Sequence, residues 1–470
     1  MTRALIALAA FLAGCAAVGP DYERPRLDLP GTFPEQGAEP EGQGEVRTDW
    51  WKLYEDPKLE ELVASAFARN ADLRLAAARI EEADANLREA GAALFPEIDL
   101  NFSPNRQRIS PNLATPIPRG VPLTRNDFRI TLGTSFELDF WGKLRRGQEA
   151  ARANALASRY GRGVVALSLS GVVAQSYFAL RSLDAQIGVA RESLASREET
   201  LDMVRRRLEG GLATELELAQ AEGTRADAAA LIKDLVRQRA LVEHQLAALT
   251  GRLELALPPG ALLTLPVPPV PPPGLPSTLL ERRPDVRQSE EQLVSANAQI
   301  GIARAQQLPT VSLTGFLGSE SATLSKFLGA GSGIALIGLG VVAPIIDAGR
   351  YQARTDAAVA RQKQAAAGYQ KSVETAFREV ADALSSLRQA TLAEADYEAR
   401  AAAARRALAA AKARYESGYS AYLEVLDAQR TANDAELAYL RNRQARLAAS
   451  VDLMKSLGGG WKDAKLLENP

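Results

Sequence analysis

The chain predicts a membrane α+β fold, in which barrel strands are inserted between long helices and the whole unit occurs twice. Three observations carry this: an internal repeat, segments of strict polar–apolar alternation, and helical stretches longer than a globular core uses.

The repeat comes first, because a period of this length defines the structural unit. Residues 67–100 align without a gap to 280–313, matching Arg69 with Arg282, Asp72 with Asp285, Arg74 with Arg287, Pro96 with Pro309 and Leu100 with Leu313. A second constant offset then matches Gly142 with Gly349, Arg207 with Arg414, Gly211 with Gly418, Leu216 with Leu423 and Gly251 with Gly458. The change of offset means that one loop is shorter in the second copy. The copies span 57–257 and 277–458, joined by a Pro-rich linker at 258–276. Residues 15–56 precede them and a tail at 459–470 follows.

Residues 1–14 combine an early Arg3, a short apolar run and a small-residue end, the form of a removable export signal. The Leu12-Ala13-Gly14-Cys15 ending resembles a bacterial lipoprotein signal. That resemblance implies cleavage before Cys15 and covalent lipid on it, and Ala16 and Ala17 suit delivery to the outer membrane. Cys15 is the only cysteine, so no internal disulfide can form.

The 470 residues carry a formal net charge of −1 and are 46% hydrophobic, which gives no reason to expect a nucleic-acid partner. Past the signal, no apolar run of about 20 residues is evident, so a membrane crossing is expected to use strands. Strands cross only as a closed barrel, because an open edge leaves backbone groups unpaired in lipid.

Strands are expected at about 97–103 and 128–140. In the second, Phe128, Ile130, Leu132, Phe136, Leu138 and Phe140 alternate with Arg129, Thr131, Ser135, Glu137 and Asp139. Apolar-out and polar-in is the pattern of a barrel with a wet lumen. The second copy offers strands at about 310–319 and 334–344, with Ala335, Ile337, Leu339 and Val341 facing outward. The intervening residues 104–126 and 319–333 read as exposed turns. Bacterial single-chain barrels begin at about eight strands, so the two copies cannot close one and the protein must be an oligomer.

From Gly142 to Arg207, and again from Arg350 to Tyr415, nothing strongly breaks a helix. Each stretch would run on the order of 100 Å. Shorter helices follow, near 214–249 and 422–457. Leu423, Leu426, Arg430, Asn433, Leu437, Leu440, Gln444, Leu447, Val451 and Met454 fall at coiled-coil spacing in the last one. The turns at 208–213 and 415–421 contain Gly211-Leu212 and Gly418-Tyr419, since glycine permits a left-handed reversal at a helix end. Past the second turn, Glu424 and Asp427 sit one helical turn apart and would form an acidic ring if several chains converge there.

Taken together, these residues resemble the TolC-like outer-membrane efflux factors, in their lipoprotein (OprM- and NodT-like) branch. The matching pieces, in order, are Cys15-Ala16-Ala17-Val18-Gly19-Pro20, Trp50-Trp51, Phe140-Trp141-Gly142-Lys143, Glu281-Arg282-Arg283-Pro284-Asp285, Asp347-Ala348-Gly349-Arg350, Tyr415-Glu416-Ser417-Gly418 and Leu423-Glu424-Val425-Leu426-Asp427. The resemblance implies a homotrimer sharing a twelve-stranded β-barrel, four strands per chain, continuous with a long α-helical coiled-coil periplasmic tunnel. It implies a Gram-negative outer-membrane location, a periplasmic gate at Glu424 and Asp427, and a periplasmic adaptor docked on the tips Gly211, Leu212, Gly418 and Tyr419. An inner-membrane pump of the resistance-nodulation-division type would supply the energy, with outer-membrane lipid as the remaining partner.

The expected function is a passive exit duct for small molecules such as drugs and toxic compounds. A duct for type I protein secretion and heavy-metal efflux are the alternatives, and a coiled-coil lipoprotein scaffold is a reading of another class. Three methionines and one histidine offer no soft-metal relay. No phosphate loop, metal-ligand spacing or nucleophile constellation points to an enzyme or to a cofactor beyond the lipid on Cys15.

Overall fold

In the computed structural model, residues 17–33, 46–112, 114, 117–118, 120–270 and 279–461 are described. Cys15, the signal residues, the end of the Pro-rich linker and most of the C-terminal tail lie outside them. The described residues group into two compact units, drawn from Met1–Arg26, Ile80–Ala157 and Ser289–Tyr369, and from Leu27–Arg79, Ser158–Gln288 and Gln370–Pro470. The elements in chain order are α1 (Pro57–Arg69), α2 (Ala71–Ala92), β1 (Asp99–Arg108), β2 (Thr124–Leu138), α3 (Lys143–Glu209) and α4 (Glu215–Thr250). The second copy supplies α5 (Pro284–Ala305), β3 (Thr310–Ser321), β4 (Gly333–Val342), α6 (Arg350–Glu416) and α7 (Tyr422–Ser456).

The first unit holds one four-stranded antiparallel sheet in the order β1-β2-β3-β4. Its register sets Leu100 beside Leu132, Leu132 beside Leu317 and Leu317 beside Ala335. Directly opposed residues share a face, so the expected outer residues of β2 and β4 lie in one apolar sheet surface together with Leu313 and Leu317. On the other face, Arg129 pairs with Glu320 at 3.9 Å and its guanidinium lies 4.7 Å from the Phe316 ring centroid. The first hairpin is longer than expected: β1 runs on past 103 to Arg108, and β2 begins at Thr124. Pro104 sits opposite Phe128 in this register.

An N-terminal strap is fixed from Ala17 to Arg24. The Val18 amide donates to the Trp141 carbonyl at 2.9 Å, beside the end of β2. A Cβ on Gly142 would come within 2.5 Å of the Ala17 Cβ, so this crossing needs glycine. Arg146 holds Asp21 at 2.7 Å, and Arg24 grips Glu290 through two bonds of 2.6 and 2.9 Å. Asp139 caps the start of α3 by accepting the Leu144 and Arg145 amides, each at 3.0 Å.

The second unit is built on aromatic and leucine packing. Trp50, Tyr54, Leu59, Leu62 and Val63 from the segment around α1 pack with Val173, Tyr177, Phe178 and Leu180 of α3 and with Leu447, Val451 and Met454 of α7. Residues 163–180 of α3 carry no charge, and α3 is long and apolar enough to cross a membrane by composition. Ser168, Ser170, Gln175 and Ser176 interrupt this stretch, and its Leu167, Leu169, Val173 and Phe178 are spent on packing inside this unit. Asp184, almost wholly buried, fastens the linker by pairing with Arg181 at 3.1 Å and Arg239 at 2.6 Å while accepting the Gly260 amide at 3.0 Å. Burying a charge is tolerable only with such partners.

The expected seam of α7 holds only in its second half, where Leu437, Leu440, Leu447, Val451 and Met454 are buried. In the first half, Leu423 and Arg430 are exposed, and the buried series is Tyr422, Val425, Gln429, Ala432 and Glu436. That series also follows three-and-four spacing, on the adjacent stripe of the helix.

Candidate functional site

Both helical hairpins reverse through a glycine in the left-handed region. At the first, Gly211 has φ +72°, its amide reaches the Leu208 carbonyl at 2.9 Å, and the Leu212 amide reaches Arg207 at 2.7 Å. At the second, Gly418 has φ +78°, with Gly418 bonding Tyr415 at 3.0 Å and Tyr419 bonding Arg414 at 2.9 Å. These paired bonds satisfy carbonyls that a helix end would otherwise leave open. Leu212 is 72% exposed and Tyr419 80% exposed, so each turn presents one large apolar side chain to its surroundings.

The hairpins meet in a small core of Leu201, Val204 and Ala221 from the first and Ala411, Tyr415, Tyr422 and Val425 from the second. Arg207 links them by a second means. Its guanidinium lies 4.7 Å from the Tyr415 ring centroid, and Nη1 donates to the Tyr415 carbonyl at 3.1 Å. Burial pushes the Tyr415 and Tyr422 phenols above their ordinary range, so both stay neutral.

Glu424 and Asp427 occupy one exposed face of α7, as their spacing requires. Sequence reasoning missed their partners: Arg414 stands 3.5 Å from Glu424, and Arg430 stands 2.9 Å from Asp427. The site within one chain is thus two carboxylates, each flanked by a cation, and exposed pairs of this kind are weak. The repeat offered the signal for one of these cations, since Arg414 matches Arg207, but the two have diverged in use. The repeat partner of Glu424 is Glu217, and it serves differently again. Glu217 accepts the Thr214 amide at 2.9 Å while Thr214 accepts the Glu217 amide at 3.2 Å, closing a capping box. Ala421, at the corresponding start of α7, supplies no side-chain cap. His244 is exposed on α4 and joins no site.

A family model described as "Outer membrane efflux protein" matches residues 62–252 and 275–459, one match for each copy of the repeat. The chain is 34% identical over 460 residues to the cation efflux system protein CusC of Escherichia coli O6:H1, covering 96% of this chain and 97% of the relative. It is also 34% identical over 474 residues to the toluene efflux pump outer membrane protein TtgF of Pseudomonas putida, covering 97% and 96%. The crystal structure of the Campylobacter jejuni CmeC outer membrane channel superposes with a TM-score of 0.88 at 26% identity, covering 96% of this chain and 98% of that one.

Proposed function

Since the chain belongs to the outer membrane efflux protein family, we propose that it is a passive exit duct completed by three copies of itself. As a member, it is an outer-membrane efflux channel with a periplasmic helical extension, and its work is conduction without catalysis. The observation that carries the trimer is the sheet. Its β1 and β4 edges, ten residues each, have no strand partner among the described residues, while its outer face is apolar. In lipid an unpaired backbone group costs several kcal/mol, so the edges must be closed by other copies. Three copies give twelve strands, each β4 pairing with the next β1.

The hairpin tips form the periplasmic mouth of this duct. Contacts between Arg207 and Tyr415 hold the second hairpin to the first, and Glu424 and Asp427 from each copy line the constriction. Leu212 and Tyr419 dock a periplasmic adaptor, which couples the duct to an inner-membrane pump of the resistance-nodulation-division type. Cys15 carries the lipid, and Ala17, two residues on, lies against Gly142 just beyond the end of β2. The cargo is small molecules. Equal identity to a cation and a toluene efflux component supports a duct that leaves substrate choice to its pump.

Single-channel recording of the purified protein in a planar bilayer, with its oligomer mass measured in the same detergent, tests the reading. A trimer with small, cation-preferring currents is expected, and Glu424→Ala with Asp427→Ala should raise conductance and weaken cation preference. A monomer without currents, or a double variant with unchanged conductance and selectivity, would overturn the duct or the gate respectively. Cys15→Ser should abolish incorporation of labelled palmitate in cells while currents of the purified trimer persist.

A further inference from the structure

Next to the tip core, α3, α6 and α7 line a half-open cavity of about 260 Å³ within the second unit, bordered among others by Glu192, Ser196, Arg405, Gln429, Asn433 and Glu436. Three of its oxygens, Ser196 Oγ, Gln429 Oε1 and Asn433 Oδ1, are buried and lack a hydrogen-bond partner. Gln429 is only 4% exposed. The orientation of its amide follows from the donors around it. Thr200 Oγ1 gives its single proton to the Ser196 carbonyl at 2.8 Å, so it must accept from Gln429, whose Nε2 lies 3.0 Å away. The Gln429 carbonyl oxygen is thereby turned into the cavity. Ser196 also departs from habit: a helical serine commonly returns its proton to a carbonyl one turn back, as Thr200 does, but Ser196 Oγ makes no such bond.

Buried acceptors without donors are costly, at about 1–3 kcal/mol each. The Ser196 hydroxyl has one proton and can donate to only one of the two amide oxygens, whereas a positive charge would satisfy all three together. We propose that the cavity binds one small monovalent cation, coordinated by the Gln429 and Asn433 carbonyls and the Ser196 hydroxyl, with Glu436 and Glu192 supplying the field. Oxygen donors select hard cations over soft ones. Arg405 already pairs with Glu436, so two carboxylates and one guanidinium leave a single negative charge, which suits a monovalent ion better than calcium with its six to eight oxygens. The first repeat has no equivalent: the positions matching Gln429, Asn433 and Glu436 are Glu222, Ala226 and Ala229. A cation here would clamp α7 to α3 without help from the tip residues.

The test uses the full-length protein in detergent and does not depend on conduction. Crystals soaked in thallous acetate, a heavy stand-in for potassium, should show an anomalous peak among Ser196, Gln429 and Asn433. Potassium chloride should raise the unfolding midpoint by roughly 2–4 °C over N-methylglucamine chloride at equal ionic strength. Gln429→Met and Ser196→Ala should each abolish that difference; if either variant fails to fold, the wild-type crystals still decide. Ordered water in place of the anomalous peak, Asn433 found donating its amide to Gln429 Oε1, or equal midpoints in the two salts would overturn the proposal.

Discussion

The two hairpin tips descend from one ancestral sequence, yet they are held by different forces. In the first, Thr214 and Glu217 cap α4 reciprocally, and Arg207 is committed to the aromatic ring and carbonyl of Tyr415. In the second, Ala421 leaves the start of α7 uncapped, and the residues matching Glu217 and Arg207 are paired with each other in solvent. A capping box contributes about 1 kcal/mol, whereas an exposed ion pair contributes a few tenths. The second hairpin is therefore the one whose end opens at lower cost, and it is also the one that carries the paired acids. Since the duplication, the two tips have diverged in how the first turn of the returning helix is held.

The largest expected effect on this contrast comes from the core that joins the tips. Tyr422→Ala should remove about 3–5 kcal/mol of local packing, as buried aromatic-to-alanine changes do. Limited proteolysis at the α6–α7 turn should then outpace cleavage at the α3–α4 turn, and resting conductance should rise. Equal cleavage of both turns would break the comparison.

Exchanging the caps sharpens it. Thr214→Ala should cost about 1 kcal/mol and Ala421→Ser should return a similar amount. Hydrogen exchange of the α4 and α7 first turns should shift in opposite directions, each by about fivefold. If Ala421→Ser leaves α7 exchange unchanged, the weaker start of that helix has another cause.

A smaller effect concerns a residue away from the tips. Burial, aided by the hydrogen bond to Asp56, pushes the Tyr177 phenol up to about 12. A raised folded value means that its contribution is complete below the unfolded value of about 10 and is lost as pH rises toward 12. Alkaline unfolding followed by circular dichroism should show a midpoint moved upward in Tyr177→Phe, with tip exchange untouched.

Much of this architecture was legible because it rests on short periods. The alternation from Phe128 to Leu138 fixes which side chains share a face, since a strand turns its side chains over at each residue. Gly211 and Gly418 announced the reversals, and the duplication announced that the strands come in two pairs. The end of β1 was harder to read, because Pro104 and the polar residues after it resemble a loop until β2 is placed beside them. Arg414 and Arg430 were missed because an ion pair is a property of two positions brought together.

By itself, then, the sequence determined the repeat, the faces of the sheet and the glycine turns, all of which follow from local geometry. Tertiary structure decided which stripe of α7 is buried and what each matched residue does. The early part of α7 offers two interleaved series at the same spacing, one through Leu423 and Leu426 and one through Tyr422 and Val425. Only the neighbouring helices α3 and α6 choose between them. The same holds for Glu217 and Glu424: their chemistry is identical, and their roles differ because a threonine precedes one and an alanine the other at the point where the helix must begin.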